Sequence, residues 1–384
     1  MERIEPANQG LKVFLAAISG LVLAITLSAG LWPFSFHLNN QVQWNTGQAG
    51  LWFGNHGMVI SKGEFSGMPS DAAKGCSLEL LLEPAQSSEA GTILSFYRPG
   101  NSSRIELRQS LDDLAFTRVP GPAYNRKNQR SVFVDHVLQQ NKALLITLAS
   151  LDGVFNVYLN GVLRKSTRNV EVQGADFAGT LLLANTPYGN SSWSGIVRGL
   201  ATYDRALQPD DVRQSYEKWT GDRARRAIDA PQPYSLFLFN EQSGRVLHNL
   251  GKAGPDLEIP ENYFVLHPGF LVPFWREFHL NGEYLEDITI NVLGLVPLGF
   301  CFAAIFAWRK GRRHSLLYVT LLGLCVSLTI EILQAFMPTR NSGTTDLFTN
   351  TAGSAFGGYL YLNSYAQNWL KRLRLLRADC GKNS

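Results

Sequence analysis

The stretch from Asp287 to Gly358 constrains this chain most, because it holds three apolar runs whose few polar residues fall at a single depth. Ile288 to Trp308 has no charge, Ser315 to Met337 has only Glu331, and a third run starts near Leu347 and continues to about Leu362. A helix needs about 20 apolar residues to cross a bilayer core, so the first two runs span easily and the third is of marginal length. Asp287 and Asn291 lie four apart, as do Ser327 and Glu331 and again Asp346 and Asn350; Glu331 and Gln334 lie three apart. Each pair shares a helix face.

Positive charge sets the orientation, since Lys and Arg in short loops stay on the cytoplasmic side. The loop Trp308 to His314 (WRKGRRH) and the tail beginning Lys371-Arg372-Leu373-Arg374 are therefore expected inside, and the turn Pro338 to Thr345, with Arg340, outside. Asp287, Glu331, Gln334, Asp346 and Asn350 then gather at outward ends, with Glu331 roughly 9 Å inside its helix end at the rise of an α-helix. Val13 to Trp32 is another uncharged run. It reads as a first anchor, which would give four helices with both termini inside, or as a cleaved secretory signal ending at Ser28-Ala29-Gly30. Either reading puts the segment from His37 onward outside the cytoplasm.

Composition averages two unlike parts. Over 384 residues, 17% are charged and the mean hydropathy is near zero, which suits membrane runs joined to a soluble domain. The net charge of +4 comes mostly from the two basic clusters, so it reports orientation and not nucleic-acid binding. Cys301 and Cys325 lie in membrane runs and Cys380 in the tail, leaving Cys76 alone in the outside domain, too few for a disulfide framework or a Cys-rich metal site.

From His37 to Glu286 the pattern is mostly β: Cys76 to Leu82, Thr92 to Tyr97, Leu144 to Leu148 and Phe155 to Leu159 are short alternating or β-branched runs between Gly, Asn, Asp and Pro turns. Asn160-Gly161 is a hairpin signal, because both residues tolerate positive φ. Gln208-Pro209-Asp210-Asp211-Val212 opens a short helix to about Trp219. The fold class is thus multidomain, a four-helix transmembrane bundle carrying an all-β jelly-roll sandwich. The expected division is 1–36 for the leader and first helix, 37–226 for the jelly roll, 227–286 for a linker and interfacial segment, 287–370 for the remaining helices and 371–384 for a basic tail. Asp222 to Arg226 reads as linker, and Ser235 to Tyr263 either opens a second β unit or completes the first sandwich. The aromatic and proline-rich stretch Phe264 to Glu286 reads as lying at the membrane surface.

Val157 to Leu163 (VYLNGVL) and Trp193 to Val212 (WSGIVRGLATYDRALQPDDV) resemble the LamG or concanavalin A-like jelly-roll family, over about Gly50 to Trp219. The resemblance implies a glycan- or protein-binding module; some relatives are glucan hydrolases, whose ExDxE strand this sequence lacks, and a spacer role is the plain alternative. Asp287, Asn291, Pro297-Leu298-Gly299, then Ser327, Glu331, Gln334, Arg340, then Asp346, Asn350, Gly353 and Gly357 resemble the VanZ-like membrane family in order and spacing, and Trp32-Pro33-Phe34 is similar to that family's opening helix. This implies a jelly roll inserted between the first and second helices, in the cell membrane, with a link to resistance against glycopeptide antibiotics of the teicoplanin type. The segment Asn341 to Thr345 lacks the additional acid that many relatives carry before the aspartate at 346.

Three readings of the polar cluster stand side by side. In a packing role, Glu331 pairs with Arg340, Asn291, Gln334 and Asn350 bond between helices, and Gly353 and Gly357 let helices approach. In a binding role, Asp287, Asn291, Ser327, Glu331, Gln334, Arg340, Asp346 and Asn350 line a pocket for a lipid headgroup or a lipid-linked envelope precursor, with Arg340 on an anion. In a catalytic role on lipid-linked sugar, Glu331 or Asp346 is a general base, with a divalent cation on oxygen ligands. No nucleophile is identified, so binding or structure is favoured over catalysis; His267 and His279 precede the second helix and read as interfacial surface. The partners expected are the bilayer and an envelope glycan or lipid-linked precursor, with no nucleic acid.

Overall fold

The computed structural model describes residues 6, 8–69, 75–98, 104–119, 129–189, 191–221, 232–278, 282–373, 375 and 376. The expected linker at Asp222 to Arg226, together with His279, Arg374 and Cys380, lies outside them. Two compact units emerge, one from 1–36 with 268–384 and one from 37–267.

The second unit is a two-sheet β-sandwich. After helix α1 (Gln9–Leu31) come β1 (Leu38–Asn39), β2 (Val42–Trp44), β3 (Leu51–Phe53), β4 (Val59–Ser61) and β5 (Phe65–Ser66). Longer strands come next: β6 (Cys76–Pro84), β7 (Ala90–Tyr97), β8 (Arg104–Ser110), β9 (Asp113–Val119) and β10 (Arg130–Val134). After them are β11 (Leu144–Leu151), β12 (Val154–Leu159), β13 (Val162–Thr167), β14 (Ala178–Leu183) and β15 (Gly195–Tyr203), then helix α2 (Pro209–Thr220). The last strands are β16 (Ser235–Phe237), β17 (Val246–Leu247), β18 (Leu257–Glu258) and β19 (Asn262–Tyr263). One sheet runs β10-β9-β8-β7-β14-β4-β18-β17, with β5 also on β14, and the other runs β13-β12-β11-β6-β15-β3-β2, with β16 also on β15.

The strands follow the sequence pattern because a pleated strand sends alternate side chains to opposite faces. In β6, Cys76, Leu78, Leu80 and Leu82 enter the core between the sheets with Phe53, Phe96, Phe155 and Trp193. Leu81 points the other way, into a smaller cluster with Val212 and Trp219 of α2. That is why β6 is buried on both faces while reading as a nearly continuous apolar run. The expected hairpin forms, with φ of 51° at Asn160 and 81° at Gly161 joining β12 to β13. The expected helix also forms, with the Asp211 carboxylate accepting the Gln208 N–H at 3.0 Å in a capping box. Ser235 to Tyr263 completes this sandwich: β16 pairs with β15 and β18 with β4, while β19 and β1 form a separate two-stranded sheet.

The other unit is helical: α1, then α3 (Phe274–Glu277), α4 (Gly282–Lys310), α5 (Arg312–Gln334), α6 (Thr344–Leu362) and α7 (Ser364–Arg372). Among the described residues three helices are long and apolar enough to cross a membrane, α1, α4 and α5. Helix α6 is not a fourth by that measure. Its 19 residues include Thr344, Thr345, Asp346, Thr349, Asn350, Thr351 and Ser354, which lower its hydropathy. It packs against α4 and α5, and α1 packs against the same pair. Glycines permit the close approach: a Cβ on Gly353 would fall on the Val292 carbonyl oxygen and one on Gly357 on that of Val296. The Ser315 hydroxyl donates to the Ala303 carbonyl at 2.9 Å and the Ser354 hydroxyl to that of Val319 at 3.1 Å.

Candidate functional site

The C-terminal ends of α1 and α5 and the N-terminal ends of α4 and α6 share one end of the helical unit. Gln334 Nε2 donates to the Gly30 carbonyl at 2.7 Å, and Asn291 Nδ2 of α4 donates to Asp346 Oδ1 of α6 at 2.7 Å. The basic loop marks the opposite end, where Arg312 Nη2 donates to the Leu362 carbonyl at 2.9 Å and Lys12 Nζ lies 4.8 Å from the Trp308 ring centroid.

The N-terminus of α6 organises the polar cluster. A helix start exposes N–H groups with no intrahelical acceptor and a partial positive charge, and the N-cap of α6, Gly343, has no side chain to serve them. Glu331 Oε2 accepts the Gly343 N–H at 2.8 Å, and the Ser342 hydroxyl donates to the same carboxylate. Glu277 Oε2 accepts the Thr345 N–H at 3.2 Å and its hydroxyl at 2.7 Å. Two carboxylates from distant segments thus cap one helix. Backbone bonds hold Glu277 there: Val272 N–H donates to the Ser342 carbonyl at 2.9 Å, Thr344 N–H returns to the Val272 carbonyl at 2.9 Å, and Leu271 N–H donates to the Ser342 hydroxyl at 3.2 Å.

The remaining candidates fall around this cap. Asn350 Nδ2 donates to the Ser327 hydroxyl at 3.1 Å, and both residues are buried. Asp346 is half-buried and Asp287 is exposed, and Asp346 lies within electrostatic reach of both Asp287 and Glu277. Arg340 is exposed and donates to the Trp32 carbonyl. The expected ion pair between Glu331 and Arg340 is not among those of the described residues, because the Glu331 oxygens face the α6 terminus. Nor is Glu331 as deep as expected: α5 stops at Gln334, three residues later, about 4.5 Å along the axis. It is nonetheless only 1% exposed, with the Gly343 N–H and the Ser342 hydroxyl on its carboxylate.

Sequence reasoning missed Glu277. It stands where the absent extra acid near Asp346 was sought, yet it comes from a short helix some 70 residues earlier in the chain. The usable signal was Phe274-Trp275-Arg276-Glu277, an acid inside an otherwise aromatic segment. Of the two histidines considered, His267 belongs to the sandwich unit, with its ring centroid 5.4 Å from that of Tyr97 and 6.2 Å from that of Tyr188.

A second buried carboxylate lies in the sandwich. Glu79 of β6 is fully buried beneath α2 and accepts from the Tyr203 hydroxyl (2.9 Å), the Ser215 hydroxyl (2.6 Å), Trp219 Nε1 (2.9 Å) and the Thr147 hydroxyl (3.2 Å). Burial raises its pKa, and these four donors oppose the rise. Saturated and enclosed, it ties α2 to the sheet and is not a site.

Residues 231–366 match the VanZ/LLP1 family model, and residues 63–213 match that of the concanavalin A-like lectin/glucanases superfamily. The chain therefore joins a VanZ-like helical region to a concanavalin A-like sandwich. No curated protein matches the sequence. Among solved structures, the native heptameric SAP-like pentraxin of Limulus polyphemus is 15% identical, covering 58% of this chain and 94% of that one at a TM-score of 0.35. Domain 4 of an extracellular arabinanase from Geobacillus stearothermophilus, in complex with arabinotriose, is 15% identical, covering 46% and 85% at 0.35. The binding domain of botulinum neurotoxin serotype D is 14% identical, covering 47% and 45% at 0.33, so the match spans under half of that domain.

Proposed function

We propose that this VanZ-like chain is an integral membrane protein of the cell envelope that holds its concanavalin A-like sandwich outside the cytoplasm to bind envelope glycan or lipid. On this reading α1, α4, α5 and α6 form a transmembrane four-helix bundle with both chain termini cytoplasmic. The observation that carries it is polarity along the helices: Trp308 to His314 puts four Lys and Arg residues at one end, and the carboxylate cluster occupies the other. Short basic loops stay inside, so the cluster faces out. The sandwich comes after α1 and before α4 in the chain, and its first strand begins seven residues after α1 ends, which supports a domain held outside the cytoplasm on this reading.

At the cluster, Glu331 and Glu277 are engaged by the α6 terminus, so a ligand would meet the exposed Asp287 and would approach Asp346 and Arg340 beside their bonds to Asn291 and the Trp32 carbonyl. Two carboxylates beside a guanidinium suit a zwitterionic or amine-bearing headgroup. Sensitivity to glycopeptide antibiotics of the teicoplanin type would follow from altered access to an envelope precursor.

The test compares cells carrying wild type with Asp346→Asn and Glu331→Gln, scoring membrane abundance and glycopeptide sensitivity. Normal abundance of Asp346→Asn with loss of protection is expected. Unchanged protection in both variants at normal abundance would remove the cluster from the function, and loss of protein in both would reduce it to packing.

A further inference from the structure

The sandwich carries a groove of about 520 Å³ where the margins of its two sheets meet. Strand β10 ends one sheet, β13 ends the other, and the 135–143 segment lies between them in the lining. Arg164 and Lys165, adjacent in β13, both line it. Neighbours in a regular strand point to opposite faces, so this needs a cause. The β12–β13 register shifts at Val157/Tyr158, where Val157 pairs with Lys165 but Tyr158 with Leu163, and Arg164 is the extra residue. A β-bulge interrupts the alternation and re-aims side chains, which brings both cations to one groove.

Lys142 adds a third charge, with Nζ on Gln139 Oε1 at 3.1 Å. These three cations are exposed, make no ion pair among the described residues, and outnumber the lining acid Asp135. His136 also lines the groove, but its Nδ1 is 2.7 Å from Asp112, so it is not counted with them. Beside the cations stands Phe133. Its neighbours Val132 and Val134 are buried, and the pleat turns its ring outward, leaving it 50% exposed. An aromatic ring next to forked and pointed cations matches a polymer with apolar sugar faces and regularly spaced anions.

We propose that this marginal groove binds an anionic glycan strand, with Arg164, Lys165 and Lys142 on its carboxylates or phosphodiesters and Phe133 against a sugar face. The proposal rests on the reading that the sandwich binds envelope glycan, and it names the ligand's charge class and place.

The test uses the purified full-length protein in detergent and its Arg164→Gln/Lys165→Gln double variant, which keeps the strand margin polar. Binding to polygalacturonate, inorganic polyphosphate and neutral dextran is measured at low and high salt, with thermal unfolding alongside. Salt-sensitive binding of polygalacturonate by wild type, weakened about tenfold or more in the double variant at unchanged melting temperature, is expected. Equal binding of dextran and polygalacturonate would overturn the charge class, and binding of polyphosphate without polygalacturonate would overturn the sugar. If purified envelope polymer retains wild type and variant equally, the groove assignment fails while glycan binding stands. If it retains neither, both fail. Phe133→Ala, which leaves all three cations in place, should weaken polygalacturonate but not polyphosphate; the same loss for both would remove the stacking contact.

Discussion

At the scale of single residues, the helical unit depends on two acids that cap one helix from outside it. Glu331→Ala leaves the Gly343 N–H without its acceptor in a covered site, and Glu277→Ala does the same for Thr345. Each is expected to lower stability by about 1–3 kcal/mol. Thermal melts in detergent should show this, with Glu331→Gln close to wild type because an amide oxygen still accepts. A melt of Glu331→Gln as low as that of Glu331→Ala would instead mean that the charge at the helix terminus matters more than the hydrogen bond. Glu79 offers a pH test. Its folded-state pKa is raised above the ordinary 4.5 by burial, so the folded chain holds the proton more tightly than the unfolded one. The associated stability is fully present below about 4.5 and is lost as pH rises through the folded-state value. The melting-temperature advantage of wild type over Glu79→Gln should therefore shrink from about pH 4 to about pH 8; a constant difference would mean that burial does not perturb this carboxyl.

At the scale of elements, helix contact and sheet completion give separate expectations. Gly353→Leu must push α6 from α4, because the first carbon of the new side chain already meets the Val292 carbonyl. Gly294→Ala on α4 meets nothing within 4 Å. The first should lose most folded protein in membrane extracts, overpacking costing about 1–3 kcal/mol or more, and the second should be tolerated; similar yields from both would contradict the packing described. In the sandwich, a fragment of residues 37–267 retains β16 to β19, whereas one ending at 226 loses partners for β15, β4 and β1. Phe237, Leu247 and Leu257 also leave the core. The shorter fragment should melt lower or aggregate, and equal melting temperatures would show that these strands add nothing. Existence and type of the long elements were legible beforehand: the uncharged runs, the β-branched runs and Asn160-Gly161 all carry periodic or turn signals. Strands of two or three residues such as β17 to β19 carry no period to read, so their attachment to the first sandwich needed the structure.

At the scale of the whole molecule, membrane orientation is directly measurable. A reporter active only outside the cytoplasm should work when fused after Arg340 and fail after Arg312, and the reverse result would put the carboxylate cluster inside. The sequence by itself determined that apolar helices and a β domain share this chain, and which polar residues those helices carry, because hydrophobic periodicity and charge in short loops act locally along the chain. Helical spacing also put Asp287 with Asn291, Ser327 with Glu331 and Asp346 with Asn350 on shared helix faces, but that Asn291 bonds to Asp346 and Asn350 to Ser327 came from the structure. Only the tertiary structure decided what Glu331 bonds to, that Glu277 joins it, and that α6 is held between α4 and α5 although it falls short of membrane-spanning hydropathy. These depend on which segment's acceptor reaches the unpaired N–H groups of a helix start. That is settled by contacts between residues dozens of positions apart, which no local pattern records.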